Sequence, residues 1–234
     1  MPKKELKIDA LQQYLPDGTL DAISKYLQHY CVHLTITGKR KSILGNYRHR
    51  TQYSNHRISV NGNLNTYSFL ITLLHELSHL LTFEQYGNKV LPHGGEWKSI
   101  YSDLLRQFLE NKIFPAEIEN ELLLSIKNPA AGCAAEDGLM RVLRKFDLKR
   151  PAHLLLEELP PSALFRIDDG RIFEKGEKLR KRFKCKELQT AKEYLFSPIY
   201  EVEPVVRTPE SLVRNENILL KTLSRPKISL QVLR

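Results

Sequence analysis

The chain has 234 residues, 41% hydrophobic and 27% charged, with 36 Lys/Arg against 27 Asp/Glu and a net charge of +9. That is ordinary for a soluble globular protein of one medium domain with an appendage, or of two small ones. Charged Met1–Asp9 with no apolar segment after it argues against a secretory signal. The longest apolar run is broken by His and Glu and cannot be a transmembrane span, and Cys31, Cys133 and Cys185 are too few and too scattered for a disulfide framework, which suits a reducing cytoplasm. Residues 10–29 predict helix, with Pro16-Asp17-Gly18 as a turn and Leu20, Ile23, Tyr26 and Leu27 at helical spacing. Val32, Leu34 and Ile36 alternate with His33, Thr35 and Thr37, the pattern of a half-buried strand with His33 on its polar face. Gly38-Lys39-Arg40-Lys41 reads as a basic turn, and Ile43–Arg48 and His56–Val60 as further strands of an antiparallel sheet.

Thr66–Tyr86 is apolar enough to be a buried central helix, with Asn65 or Thr66 as N-cap and Gly87 as the stop. Inside it lies His75-Glu76-Leu77-Ser78-His79. Residues four apart share a helix face, so His75 and His79 can present two imidazole nitrogens to one metal. Glu76 is placed to hold a metal-activated water without itself ligating the metal. Two imidazoles and a carboxylate among so many leucines are costly unless a cation compensates them. A catalytic zinc needs a third protein ligand. The metzincin spacing is absent, since Phe83, Glu84 and Gln85 stand where its glycine and histidine would fall. Leu91-Pro92-His93-Gly94-Gly95-Glu96-Trp97-Lys98 opens a second helix reaching about Glu110, and by chemistry either His93 or Glu96 could be the third ligand.

With HExxH followed by His93-Gly94-x-x-Trp97, residues 10–110 resemble the SprT-like metalloprotease family. Asn61-Gly62-Asn63-Leu64-Asn65 resembles that family's polar lead into the motif helix. The resemblance implies a minimal zincin-like domain, one Zn2+ per chain held by His75, His79 and His93, Glu76 as general base and then acid, and a polypeptide substrate. It also implies that Trp97 packs the second helix onto the first. Relatives in eukaryotes cut proteins covalently trapped on DNA, which makes nucleic-acid-associated proteins a candidate substrate class. In zinc proteases an edge strand beside the metal pairs with an extended substrate backbone, and Ser42–Tyr47 is the candidate by position. Tyr101 and His56 are of the right type to stabilise an oxyanion.

Pro115–Lys127 and Ala135–Phe146 predict two more helices that complete the core. Asp147–Pro151 is a boundary. The expected organisation is thus an α+β catalytic domain over 1–150, a small all-β domain over 151–206, and a basic tail from 207 to 234. In the second domain Asp168-Asp169-Gly170 and Lys175-Gly176-Glu177 are turn signals between short strands, suggesting a small barrel or SH3-like sheet. The four-cysteine zinc ribbon of many SprT-like proteins is missing, because Cys185 is the lone cysteine there. Arg171–Lys186 holds eight Lys/Arg against Glu174 and Glu177. On one strand face Lys178, Arg180, Arg182, Lys184 and Lys186 would form a stripe fitted to a DNA or RNA phosphate backbone, or a solvated outer face. Two functions follow: a cytoplasmic zinc endopeptidase, or a non-hydrolytic, zinc-stabilised nucleic-acid-binding or regulatory protein. Glu76, which a structural site does not need, favours the enzyme.

Overall fold

A computed structural model of the chain describes residues 8–40, 43–127, 129–130, 136–147 and 153–206. Ser42, Cys133 and the basic tail lie outside these residues. The chain divides into two compact units, Met1–Leu148 and Lys149–Arg234. The architecture is α+β, with a mixed helix–sheet unit followed by an all-β one.

The first unit begins with a 3-10 helix, Ile8–Tyr14, and helix α1, Leu20–His29. Strands β1 (His33–Thr37), β2 (Gly45–Arg48) and β3 (Arg57–Asn61) follow. Helices α2 (Thr66–Tyr86), α3 (Gly95–Glu110), α4 (Ala116–Ser125) and α5 (Asp137–Arg144) complete it. The α2 helix starts where Asn65 Oδ1 accepts the Ser68 N–H at 2.9 Å. It stops at Gly87, whose φ of 61° suits glycine and whose N–H donates to the Phe83 carbonyl. Residues Phe69–Ser78 are buried without a break, the mark of a helix at the centre of a core. Its buried hydroxyls are satisfied within the helix, Ser78 by Leu74 O and Thr82 by Ser78 O, both at 2.7 Å. Trp97, Phe69 and Phe108 are the largest fully buried side chains of this unit.

The sheet corrects one expectation. Its order is β1-β3-β2; β2 is antiparallel to β3, but β1 is parallel to it, with Leu34 opposite Ile58. The chain leaves β1 at Thr37, crosses the end of β3 and returns as β2 on the far side. The crossing is braced by Arg40, which donates to Asn61 Oδ1 (2.7 Å), Ser59 Oγ (2.9 Å) and the Leu44 carbonyl (3.1 Å). Arg40, from the basic segment after β1, is therefore a structural tie. β2 is left as the sheet edge that packs on α2.

The second unit contains β4 (Leu154–Leu155), β5 (Leu164–Arg166), β6 (Ile172–Leu179), β7 (Arg182–Glu187), β8 (Glu193–Phe196) and β9 (Glu201–Val205). They form one antiparallel sheet in the order β4-β9-β5-β6-β7-β8 over a core that includes Phe165, Phe173, Cys185 and Val202. Lys175-Gly176-Glu177 is not a turn: β6 runs through it with a bulge between Lys175 and Lys178. A Cβ on Gly176 would lie 2.1 Å from the Lys184 carbonyl oxygen, so the glycine marks a close approach of two backbones. The hairpin turns instead at Arg180-Lys181, with Arg180 at φ 46°. No helix of the described residues is long and apolar enough to cross a membrane.

Candidate metal centre

His75 and Glu76 are each 6% exposed on the α2 face that meets α3 and the sheet. The third imidazole comes from the loop between α2 and α3. There His93 takes a left-handed conformation (φ 60°), and the Gly94 N–H closes a turn onto the Leu91 carbonyl at 3.0 Å. That conformation costs a non-glycine residue on the order of 1 kcal/mol and is retained where the surroundings demand it. Four residues after His93, Trp97 enters the core and forms the floor of the site. Its ring centroid lies 4.7 Å from His75, 5.3 Å from His79 and 4.6 Å from His93. Tyr101 stacks beneath Trp97 at 5.0 Å.

The three histidines present ligand nitrogens that all lie within 4.8 Å of one another, and His75 Nε2 is 3.2 Å from His93 Nε2. A tetrahedral site with metal–nitrogen bonds of about 2.0–2.1 Å holds its nitrogens roughly 3.3–3.4 Å apart, so the residues fit a metal ion. Their ionisation fits as well. Burial, reinforced by the neighbouring imidazoles, pushes His75 down to about 3 and His79 to about 4, and burial also lowers His93. All three are neutral near pH 7, the form that ligates. His75 Nδ1 is buried with no hydrogen-bond partner among the described residues. Glu96 is exposed in the first turn of α3 and is not a member of the group.

Glu76 faces the edge strand. Burial raises its pKa to about 8, while the Arg40 charge and a hydrogen bond from the Tyr47 N–H act in the opposite direction. The fit is close: a Cβ at Gly45 would stand 2.5 Å from Glu76 Oε1 and 2.8 Å from Thr72 Cγ2. The glycine in β2 signals this approach, and sequence reading did not draw on it. Of the residues considered for an oxyanion, Tyr101 has its ring 5.6 Å from that of His75, between centroids. Tyr101 is buried under Trp97, and His56 is buried behind Tyr47, with Nδ1 2.9 Å from the Tyr47 hydroxyl and Nε2 3.2 Å from Glu84 Oε1.

The basic stripe is corrected. Lys178, on β6, pairs with Phe183 and shares its face, with Nζ 5.8 Å from that ring. Arg180 lies in the turn. Arg182, Lys184 and Lys186 alternate with Phe183 and Cys185 and share the outer face of β7, where Lys184 is paired with Glu193 at 2.9 Å. One stripe of five is thus a face of three plus an exposed tip, because the turn falls at residue 180 rather than at 176.

A buried helix carrying two imidazoles and a carboxylate, a loop returning a third imidazole and an edge strand over the carboxylate form an HExxH centre that could hold a metal ion. Residues 9–118 match the SprT-like family. No curated protein and no solved structure matches the chain.

Proposed function

We propose that the chain is a zinc-dependent endopeptidase, with His75, His79 and His93 as the metal ligands and Glu76 as the proton carrier. The observation that supports this most is the buried Glu76 carboxylate set beside three neutral imidazoles, which a purely structural metal site would have no use for. Zinc, when bound, supplies a Lewis acid that polarises the scissile carbonyl and acidifies water. Glu76 accepts a proton from the attacking water as the C–O bond forms, then returns it to the amine nitrogen as the C–N bond breaks. The outer edge of β2 is the surface on which an extended polypeptide is aligned by main-chain hydrogen bonds, with little sequence choice.

Glu76→Gln tests the reading directly. It keeps the shape of the site, so zinc content stays near one per chain, while cleavage of a denatured protein falls by about 10²–10⁴-fold. Retained cleavage in this variant rules out Glu76 as the base. A wild type that cleaves nothing, with DNA present or absent, returns the domain to a zinc-stabilised binding role. We further propose a nucleic-acid partner for the second unit, supported by Arg182 and Lys186 on one exposed face and Arg180-Lys181 at the hairpin tip.

A further inference from the structure

We infer that Tyr47, held by His56 and Glu84, is the positioning residue that sets the edge strand, Glu76 and His79 in register. This rests on the reading of the three histidines as ligands and Glu76 as the base. Asn61 donates to the Leu44 carbonyl at 2.9 Å, which sets the alternation along the β2–β3 ladder. Asn46 and Arg48 then bond towards β3, and Gly45 and Tyr47 turn their backbone groups the other way. That direction is where the Tyr47 N–H meets the Glu76 carboxylate. The Tyr47 ring lies parallel to His79, at 5° and 6.4 Å between centroids. One residue therefore touches both the base and a ligand.

The far end of the same side chain is also fixed. The Arg50 N–H donates to His56 Nδ1 at 3.3 Å, and the Tyr47 hydroxyl lies 2.9 Å from that nitrogen. A backbone amide can only donate, so Nδ1 is the acceptor, the neutral ring carries its proton on Nε2, and the phenol donates. His56 Nε2 lies 3.2 Å from Glu84 Oε1, off the line of a hydrogen bond, and Arg50 pairs with Glu84 Oε2 at 3.1 Å. Glu84 belongs to α2, just beyond His79. The β2–β3 hairpin is thus clamped to the helix that carries the centre, with His49 stacked on Phe83 at 4.5 Å as a second contact. Because the phenol proton is committed to His56, Tyr47 acts by placement and not as a donor to substrate.

The test is a mutant cycle on zinc affinity, measured by chelator competition on folded full-length protein. Tyr47→Phe and His56→Leu each break the same link, so each should weaken zinc by about 10-fold, the lower end for groups that orient ligands. The double variant should lose little more than either single one. His56→Asn, which restores an acceptor near the Nδ1 position, should recover most of the loss, and cobalt-substituted Tyr47→Phe should show an altered visible spectrum. Where cleavage is measured, kcat should fall with KM held. Wild-type zinc affinity in both single variants overturns the inference, as does full multiplication of their losses or His56→Asn no better than His56→Leu. The zinc arm decides the matter even if the wild type cleaves no protein, which would count only against the protease reading.

Discussion

Glu76→Gln has a second consequence, in stability, that is independent of catalysis. In the zinc-stripped protein the Glu76 carboxyl has its pKa raised from 4.5 to about 8, with burial as the largest cause. Between those values the folded chain keeps a proton that the unfolded chain has released, so stability falls as pH rises. The cost is absent below pH 4.5 and saturates above 8. His75 and His79 have the opposite sign: their lowered values make the fold lose stability as pH drops below 6.5, and they contribute no slope above it. From pH 6.5 to 8 the Glu76 contribution integrates to about 1.5 kcal/mol, taking about 1.4 kcal/mol per pK unit. Urea unfolding of stripped wild type, followed by circular dichroism, should show that decline, and the Gln variant should lack it. Adding zinc should remove the difference, because a nearby cation favours the ionised carboxylate. A wild-type profile as flat as that of the variant would falsify the claim that burial controls this group.

His93→Ala should weaken zinc by more than the roughly 10–100-fold typical of outer-shell changes, and Glu96→Ala should leave it unchanged; chelator competition reads both. Loss of zinc in Glu96→Ala alone would reverse the ligand assignment. Gly45→Ala must push a methyl into Glu76 and Thr72, an overpacking that should cost about 1–3 kcal/mol in a thermal melt. A neutral outcome would mean that β2 does not sit against the carboxylate. Reversing charge at Arg182 and Lys186 should weaken DNA or RNA binding uniformly across sequences and flatten its salt dependence in fluorescence anisotropy, whereas no binding at low salt removes the nucleic-acid partner.

The centre was legible because its signals are local. Asn65 and Gly87 bracket α2, the spacing of His75 and His79 is one helical turn, and His93 lies in a short motif that opens α3. What escaped the sequence depends on partners distant along the chain. Alternation in β1 and β3 tells which side chains face inward but not which strands are neighbours, so the parallel pairing was not visible. Arg40 reads in the sequence only as one cation of a basic turn, and its role appears when its guanidinium meets Asn61 and Ser59. Tyr47, His56 and Glu84 carry no motif and acquire meaning only when the hairpin lies on the helix. Gly176 misled because glycine serves both tight turns and close backbone contacts, and here the second use prevailed.

Trp97 is the chain's single tryptophan. Its indole is fully buried, and its ring lies no more than 5.3 Å from each of the three imidazole rings. The protein therefore carries its own optical probe at the centre. Emission should be blue-shifted in the fold because the indole is buried, should be quenched by a paramagnetic ion such as Co2+ or Cu2+ at the triad, and should shift to the red when α3 detaches. Metal loading, metal exchange and unfolding of the first unit can all be followed in unlabelled protein by selective tryptophan excitation, with no tryptophan background from the second unit.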